Sequence, residues 1–112
     1  LAERGVTASI ATNNVLNPFT PYGDCSLLRM ANLYANLMHL GPDGFSQCLR
    51  LITQDAARLM RIEDYGIAPG HAADLIVVDA TDEDEAFGSI APAQMGFKNG
   101  RKTFERQARI LR

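Results

Sequence analysis

The sequence predicts an α/β fold in which a strand and a loop lead into three helices, followed by a strand, a short helix and a β-hairpin. An apolar segment at residues 6–10 leads into a loop rich in asparagine, proline and glycine. Residues 26–61 carry apolar side chains at helical spacing. The run ADLIVVDA and a later Asn-Gly pair then indicate strands. This order of elements is typical of the end of a larger α/β fold.

Length and composition exclude several classes of protein. With 112 residues the chain is one small domain or part of a larger one. The net charge of -2 gives no electrostatic reason to expect nucleic acid or an anionic membrane as a partner, and no apolar run is long enough for a transmembrane helix. The opening LAERGVT has neither a signal peptide nor an initiator methionine, so we expect it to begin in mid-gene. Cys25 and Cys48 lack disulfide or metal patterning, which predicts reduced thiols and a cytoplasmic protein.

The first element is predicted to be a short buried strand over residues 5–12 that leads into an irregular loop. Val6, Ala8 and Ile10 alternate with small residues, so other structure could cover both faces of the strand. Turn-forming residues follow it, namely Asn13, Asn14, Asn17, Pro18, Pro21 and Gly23. Ligands of α/β proteins bind at loops that follow the carboxyl ends of strands. We therefore expect this loop to form part of any ligand-binding site.

Three helices are predicted next. The first covers residues 26–40, ends at Gly41-Pro42, and is apolar enough to be packed on more than one side. The second covers residues 44–51, and the third follows Thr53 as N-cap, with Asp55 in its first turn. The predicted inward-facing residues are Leu27, Met30, Ala31, Tyr34, Leu37 and Met38 of the first helix; Phe45, Cys48, Leu49 and Ile52 of the second; and Ala56, Leu59 and Met60 of the third.

The last part of the chain is predicted to contain a strand, a short helix and a hairpin. Residues 73–80 have strong strand propensity, and Thr81 with Asp84 resembles a capping box for a short helix through Phe87. Asn99-Gly100 is the preferred pair for a type I′ turn. The resulting pairs are Phe97 with Lys102 and Met95 with Phe104, which would put three large apolar side chains on one face of the hairpin.

Several segments, in this order, resemble the C-terminal part of the amidohydrolase superfamily in its cytosine deaminase-like branch: ATNNVLNPFTPYG, SLLRMANLYANLMHLG, LITQDAARLMRIEDYGIAPGHAADLIVVDA and GFKNGRKTF. The resemblance implies a C-terminal fragment of a (β/α)8 barrel. Residues 1–65 would then be the end of the barrel, with residues 5–12 as its eighth strand and three closing helices. Residues 66–112 would supply strands of a small composite β-sandwich.

The resemblance also implies an activity and a site. Its members hydrolyse C–N bonds of cyclic amides or deaminate heterocycles such as cytosine, using water activated by a divalent metal such as zinc or iron. Asn13 aligns with the aspartate that binds metal and handles the proton of that water, Asn14 with the aspartate that contacts the substrate ring, and Phe19 with an aromatic residue of the pocket. We expect the only histidines, His39 and His71, to be structural or surface residues. The chain alone therefore lacks the histidine ligands and the catalytic aspartate.

Three functional hypotheses remain open. The chain is part of a metal-dependent hydrolase, a non-catalytic amidohydrolase-like protein for binding or assembly, or a truncated fragment with no activity of its own. The second rests on Asn13 and Asn14, because a neutral amide is a weaker metal ligand than a carboxylate and is no general base near pH 7. The expected partners are a small heterocycle in the complete protein and either the missing N-terminal barrel half or a second copy of the chain.

Overall fold

The chain divides into two compact units, Leu1–Glu63 and Asp64–Arg112. The computed structural model describes residues 2–107. Helix α1 (Leu27–Leu37), helix α2 (Phe45–Leu51) and helix α3 (Gln54–Leu59) lie in the first unit, with two short 3-10 helices, Ala2–Arg4 and Pro42–Gly44. The second unit contains strand β1 (Leu75–Val78), helix α4 (Glu83–Gly88), strand β2 (Ala93–Lys98) and strand β3 (Arg101–Glu105). The α/β class is thus confirmed, whereas the assignment of the two units to a barrel and a sandwich stays a prediction.

The predicted first strand is not formed. Residues 5–12 have no strand structure, and Val6 is 49% exposed. The backbone N–H of Ile10 donates to the carbonyl of Leu51 at 3.1 Å, which ties this segment to the end of α2. A strand needs a ladder partner, and within residues 2–107 all strands belong to the second unit. The prediction of a buried strand is therefore wrong here, and its equivalence with a barrel strand is untested.

Helix α1 begins where the sequence predicts and ends earlier. The Ser26 hydroxyl caps its N-terminus by accepting from a backbone N–H in the first turn. At the other end His39 takes a left-handed conformation, with φ of 53°. The N–H of His39 donates to Asn36 and that of Leu40 to Ala35, the bonding pattern of a Schellman cap. The helix thus stops at this cap, before the predicted end at Gly41-Pro42.

The buried face of α1 is narrower than predicted. Ala31 and Ala35, one turn apart, are buried at 0% and 3% exposure, and Cys48 of α2 is buried at 0%. Because α2 is only seven residues long, it covers a narrow strip of α1. The large apolar side chains on the rest of α1 and just after it are exposed: Leu27, Leu33, Tyr34, Leu37, Met38 and Leu40. Close packing of the whole predicted stripe is therefore wrong for this structure.

Helix α3 has the predicted start but a different inner face. Thr53 is its N-cap residue, yet the Thr53 hydroxyl donates to the carbonyl of Leu49 at 2.7 Å and makes no cap hydrogen bond. Ala57 is the buried residue of the helix, whereas Leu59 and Met60 are 54% and 71% exposed. The predicted inner face is therefore wrong, because only a small side chain lies at the packed position.

The second unit is built on a three-stranded antiparallel sheet in the order β1-β2-β3. The predicted turn between β2 and β3 is confirmed, since Asn99 and Gly100 both have positive φ, at 50° and 72°. Asp74 holds this turn next to β1. Its carboxylate accepts the N–H of Asn99 at 2.7 Å and pairs with the ammonium group of Lys98.

The hairpin register agrees with the prediction near the turn and departs from it farther away. Phe97 lies opposite Lys102 as predicted, but Phe104 lies opposite Gly96 because the register shifts between Gly96 and Phe97. This bulge places Phe104 on the face of Gly96, opposite to the face of Met95 and Phe97. The expectation of three large apolar side chains on one face is therefore wrong.

The N-cap of α4 lies one residue later than predicted, and the return hydrogen bond of a capping box goes to the residue before it. Asp82 is the N-cap, and its carboxylate accepts the N–H of Glu85 at 2.8 Å. The Glu85 carboxylate in turn accepts from the N–H of Thr81 at 2.8 Å and from its hydroxyl at 2.6 Å. Phe87 of this helix is fully buried, so the cap fixes the start of an element that supplies the core of the second unit.

Candidate ligand-binding loop

The segment between residues 13 and 23 is irregular but internally hydrogen-bonded. The N–H of Leu16 donates to Tyr22 at 3.3 Å. Asn17 and Thr20 exchange both backbone hydrogen bonds, at 3.1 and 3.2 Å, and so close a tight turn around Pro18 and Phe19. The loop predicted to meet a ligand thus has a defined geometry of its own.

The side chain of Asn17 connects the two halves of this loop. Its Oδ1 accepts the backbone N–H of Phe19 at 3.0 Å and that of Thr20 at 2.9 Å. Its Nδ2 donates to Oδ1 of Asn14 at 2.9 Å. Two of the predicted site residues, Asn14 and Phe19, are therefore linked through one half-buried carboxamide. The sequence pattern alone predicts only a loop position for Asn17, although Asn-Pro is a known signal for side-chain-to-backbone turns.

The tip of the loop presents large apolar side chains to solvent. Phe19 is 86% exposed, and Leu16 and Tyr22 are 70% and 71% exposed. An aromatic side chain held at a fixed backbone position offers a flat surface on which a planar ring can stack. Phe19 therefore presents an open aromatic face at the tip of the loop.

Asn13 is exposed and has a left-handed backbone, with φ of 57°. Asparagine adopts this conformation more readily than most residues. Among residues 2–107, no three His, Cys, Asp or Glu side chains lie close enough to hold a metal ion. His39 and His71 are both exposed, and Nδ1 of His71 lies 3.3 Å from the carbonyl oxygen of Gly66. The donors of this part of the chain therefore do not fit a divalent metal by themselves.

One carboxylate lies directly after the loop, at Asp24, and it is paired with neighbouring groups. It forms an ion pair with Arg29 at 3.0 Å and accepts the N–H of Ser26 at 3.1 Å. These hydrogen bonds, that of Arg29 foremost, lower the pKa of Asp24 from its usual value. An ionised, paired carboxylate is a poor general base near neutral pH, so the role of Asp24 in this structure is to fix the entry to α1.

The cysteines are both free thiols, with Cys25 exposed and Cys48 buried. Reduced cysteines were predicted, and the cytoplasmic location inferred from them stays a prediction. No helix in the part of the chain that the structure describes is both long and apolar enough to cross a bilayer.

Comparison with known proteins places the chain in a family context. A family model described as the amidohydrolase family matches residues 1–103. Two curated proteins match over 103 residues: the N-isopropylammelide isopropyl amidohydrolase of Pseudomonas sp. (strain ADP), 28% identical over 90% of this chain, and the uncharacterized protein YahJ of Escherichia coli (strain K12), 32% identical over 89% of it.

Solved structures of two enzymes are also similar. The 5-methylcytosine deaminase from Klebsiella pneumoniae with 5-fluorocytosine has a TM-score of 0.87 and 28% identity, and the match covers all of this chain. The N-isopropylammelide isopropylaminohydrolase from Burkholderia multivorans has a TM-score of 0.83 and 29% identity over 90% of this chain. The matches span 26% and 22% of the two curated proteins, and 28% and 26% of the two structures. The chain thus corresponds to about a quarter of the length of these relatives.

Proposed function

The chain belongs to the amidohydrolase family, and on this basis we propose that it is the C-terminal part of a hydrolase that acts on C–N bonds of cyclic amides or amidines, in the manner of a cytosine deaminase. The observation that carries this proposal is the similarity of the whole chain to a 5-methylcytosine deaminase. The matched region covers the loop in which, in this chain, Asn17 connects Asn14 with Phe19.

In this proposal the loop binds and orients a heterocycle. Phe19 stacks on the ring, and the Asn14 carboxamide forms a hydrogen bond with its edge. The carboxamide of Asn13 has no useful proton affinity near pH 7, so it takes up no proton from water. Amidohydrolases generally use a divalent metal. Among the residues that the structure describes, no group of three or more His, Cys, Asp or Glu side chains could hold such an ion. Residues outside the chain would have to hold it, and Asn13 would add one amide oxygen at most.

The pair Asn13-Asn14 favours a second candidate, a relative that binds a heterocycle or serves assembly without hydrolysing a substrate. General acid–base catalysis contributes about 10² to 10⁴-fold to a rate. Loss of the carboxylate at the position of Asn13 would therefore remove most of the turnover, while the ring contacts proposed for Phe19 and Asn14 would remain. The two candidates share the binding loop and differ only in the chemistry that follows.

The exposed apolar surface of α1 supports a partner for the first unit. Leu33, Leu37 and Met38 are 47%, 70% and 55% exposed, and side chains of this size gain about 1.5–3 kcal/mol each when fully buried. We therefore propose that the rest of the barrel, or failing that a second copy, covers this surface. Sedimentation of the isolated chain should show association, and a monodisperse, cooperatively unfolding monomer would count against this proposal.

A chimera separates the two functional candidates. This chain would replace the matching 28% of the Klebsiella deaminase, and ammonia release from 5-methylcytosine would be measured with the unchanged chain and with Asn13→Asp. If the chain has a hydrolase scaffold that lacks only this carboxylate, the Asn13→Asp chimera should turn over at least about 10²-fold faster than the chimera with asparagine, which would favour the non-hydrolysing candidate for the unchanged chain. Asn36→Asp on α1 is the matched control for the added charge and should leave turnover unchanged.

Two other outcomes of the chimera experiment would change the conclusion. Turnover by the unchanged chimera at the rate of the Asn13→Asp chimera would favour the enzyme and show that the carboxylate is not required. A folded chimera that neither binds 5-methylcytosine nor gains activity with Asn13→Asp would refute the proposed function.

A further inference from the structure

The hydrogen bonds of Asn17 determine the orientation of the Asn14 carboxamide. Oδ1 of Asn17 is occupied by two backbone N–H groups, those of Phe19 and Thr20. Backbone N–H groups can only donate, so this end of the Asn17 amide must be the oxygen. Nδ2 of Asn17 therefore faces Asn14. The Asn14 atom that accepts a hydrogen bond from Nδ2 of Asn17, at 2.9 Å, must be Oδ1.

This orientation makes Asn14 a hydrogen-bond donor toward a ligand. The two heavy atoms of a planar carboxamide point in different directions, so Oδ1 directed at Asn17 turns Nδ2 away from it. Rotating the Asn14 amide by half a turn would bring two NH2 groups together and lose the hydrogen bond. An aspartate at this position would instead present only acceptor oxygens.

We propose that Asn17 is a positioning residue that holds Asn14 with Nδ2 outward, so that the loop selects planar heterocycles that offer an acceptor, such as an unprotonated ring nitrogen or a ring carbonyl. This inference rests on the proposed function, because it takes the loop to be the ligand-binding element. It deepens that function by naming the class of ring edge that the site accepts. Phe19 is positioned by the same carboxamide, so ring stacking and edge recognition are coupled.

Replacing Asn17 with aspartate isolates the orienting hydrogen bond. In Asn17→Asp the carboxylate still accepts the N–H groups of Phe19 and Thr20, but it has no hydrogen to donate to Asn14. The Asn14 amide should then turn, donate Nδ2 to the carboxylate and present Oδ1 outward. The loop would consequently prefer a ligand with a donor.

A matched control is available on α1. Nδ2 of Asn36 donates to Oδ1 of Asn32 at 2.9 Å, the same kind of side-chain pair on an exposed helix surface. Asn36→Asp adds the same charge to the chain without changing the loop. It should leave both the loop resonances and the ligand preference unchanged.

The test uses the full chain, labelled for NMR, and two small aromatic probes. Pyrimidine carries ring nitrogens that only accept, and pyrrole carries an N–H that only donates, whereas both can stack on Phe19. The wild-type chain should bind pyrimidine roughly three- to tenfold more tightly than pyrrole, the range expected for one net hydrogen bond. Asn17→Asp should reverse this preference and shift the Asn14 side-chain amide resonances.

A second variant keeps the inference falsifiable if Asn17→Asp fails to fold. In Asn14→Asp the new carboxylate still accepts from Asn17 and presents an acceptor outward, so it should also prefer pyrrole. If a folded Asn17→Asp variant has unchanged Asn14 resonances, or if both variants still prefer pyrimidine, the positioning role is wrong while the proposed function stands. If neither probe binds the wild-type loop although the Asn14 resonances respond to Asn17→Asp, the orientation of Asn14 stands and the proposed ligand selection is wrong, whereas the proposed function is decided separately by the chimera.

Discussion

Gly96 is a position in the second unit where an added methyl group would collide with a neighbouring side chain. A Cβ added there would lie 2.3 Å from Cε1 of Phe104, 2.8 Å from Cδ1 and 3.0 Å from Cζ. Carbon atoms in favourable contact are about 3.5–4.0 Å apart. Gly96→Ala must therefore displace the Phe104 ring by more than about 1 Å.

The cost of this displacement follows from the exposure of the ring. Phe104 is 44% exposed, so slightly more than half of its surface is covered. A phenylalanine buries about 150–250 Å² when fully covered, and losing about half of that at 25 cal/mol per Å² costs about 2–3 kcal/mol. Alanine recovers about 0.5–1 kcal/mol of backbone entropy. We expect Gly96→Ala to lower the free energy of unfolding by about 1–2 kcal/mol.

A double-mutant cycle tests whether the ring is responsible. Urea unfolding and hydrogen exchange of the hairpin amides would be measured for Gly96→Ala, Phe104→Ala and the double variant. In the Phe104→Ala background, Gly96→Ala should no longer destabilise the hairpin. Gly41→Ala is the control, because its Cβ meets nothing within 4 Å and its φ of −86° suits alanine. An equal cost of Gly96→Ala in both backgrounds would refute the reasoning.

Two further substitutions test the helix cap and the hairpin ion pair. Arg61 follows α3 with a left-handed φ of 57° and is exposed. Arg61→Gly should therefore raise the free energy of unfolding by about 0.5–1 kcal/mol. A lower free energy of unfolding for this variant, measured by thermal or urea unfolding, would contradict the prediction. The pKa of Asp74 is lowered, first by its hydrogen bond with Lys98 and then by that with the N–H of Asn99. Its contribution to stability should therefore be present above the usual carboxyl pKa and be lost as the pH falls through the lowered value. In Asp74→Asn, hydrogen exchange of the hairpin amides should lose this acid dependence, and an unchanged pH profile would contradict the role of Asp74.

The sequence predicts best those features that local chemistry determines. Asn99-Gly100 forms the predicted hairpin turn because both residues tolerate positive φ, and α1 begins within one residue of its predicted start. Caps made by other residue types were missed. His39, Arg61 and Ile90 each take the left-handed conformation just after a helix, where the sequence offers no glycine. The early end of α1 and the cap at His39 could therefore not be predicted from residue type.

Features that depend on contacts distant in sequence were predicted less well. The apolar stripe of α1 correctly indicated a helix and the burial of Ala31, but not the exposure of its large side chains, since short α2 covers only the strip around Ala31 and Ala35. The bulge opposite Gly96 moved Phe104 to the other face, a shift that turn chemistry alone does not reveal. In the loop, Asn14 and Phe19 were selected by resemblance, whereas the linking role of Asn17 emerged only from its three hydrogen bonds.

The central claim is that the loop around Phe19 is a ligand-binding element of an amidohydrolase, and a single titration tests it most directly. 5-Fluorocytosine, the ligand of the similar Klebsiella deaminase structure, would be titrated into the chimera of that enzyme with this chain, with and without Phe19→Ala. Stacking of a base on an aromatic side chain is worth about 1–3 kcal/mol, so the variant should bind at least about fivefold more weakly. Tyr22→Ala, which removes an aromatic side chain of similar exposure, should have little effect. Equal binding with and without the Phe19 ring, in a folded chimera, would contradict the account.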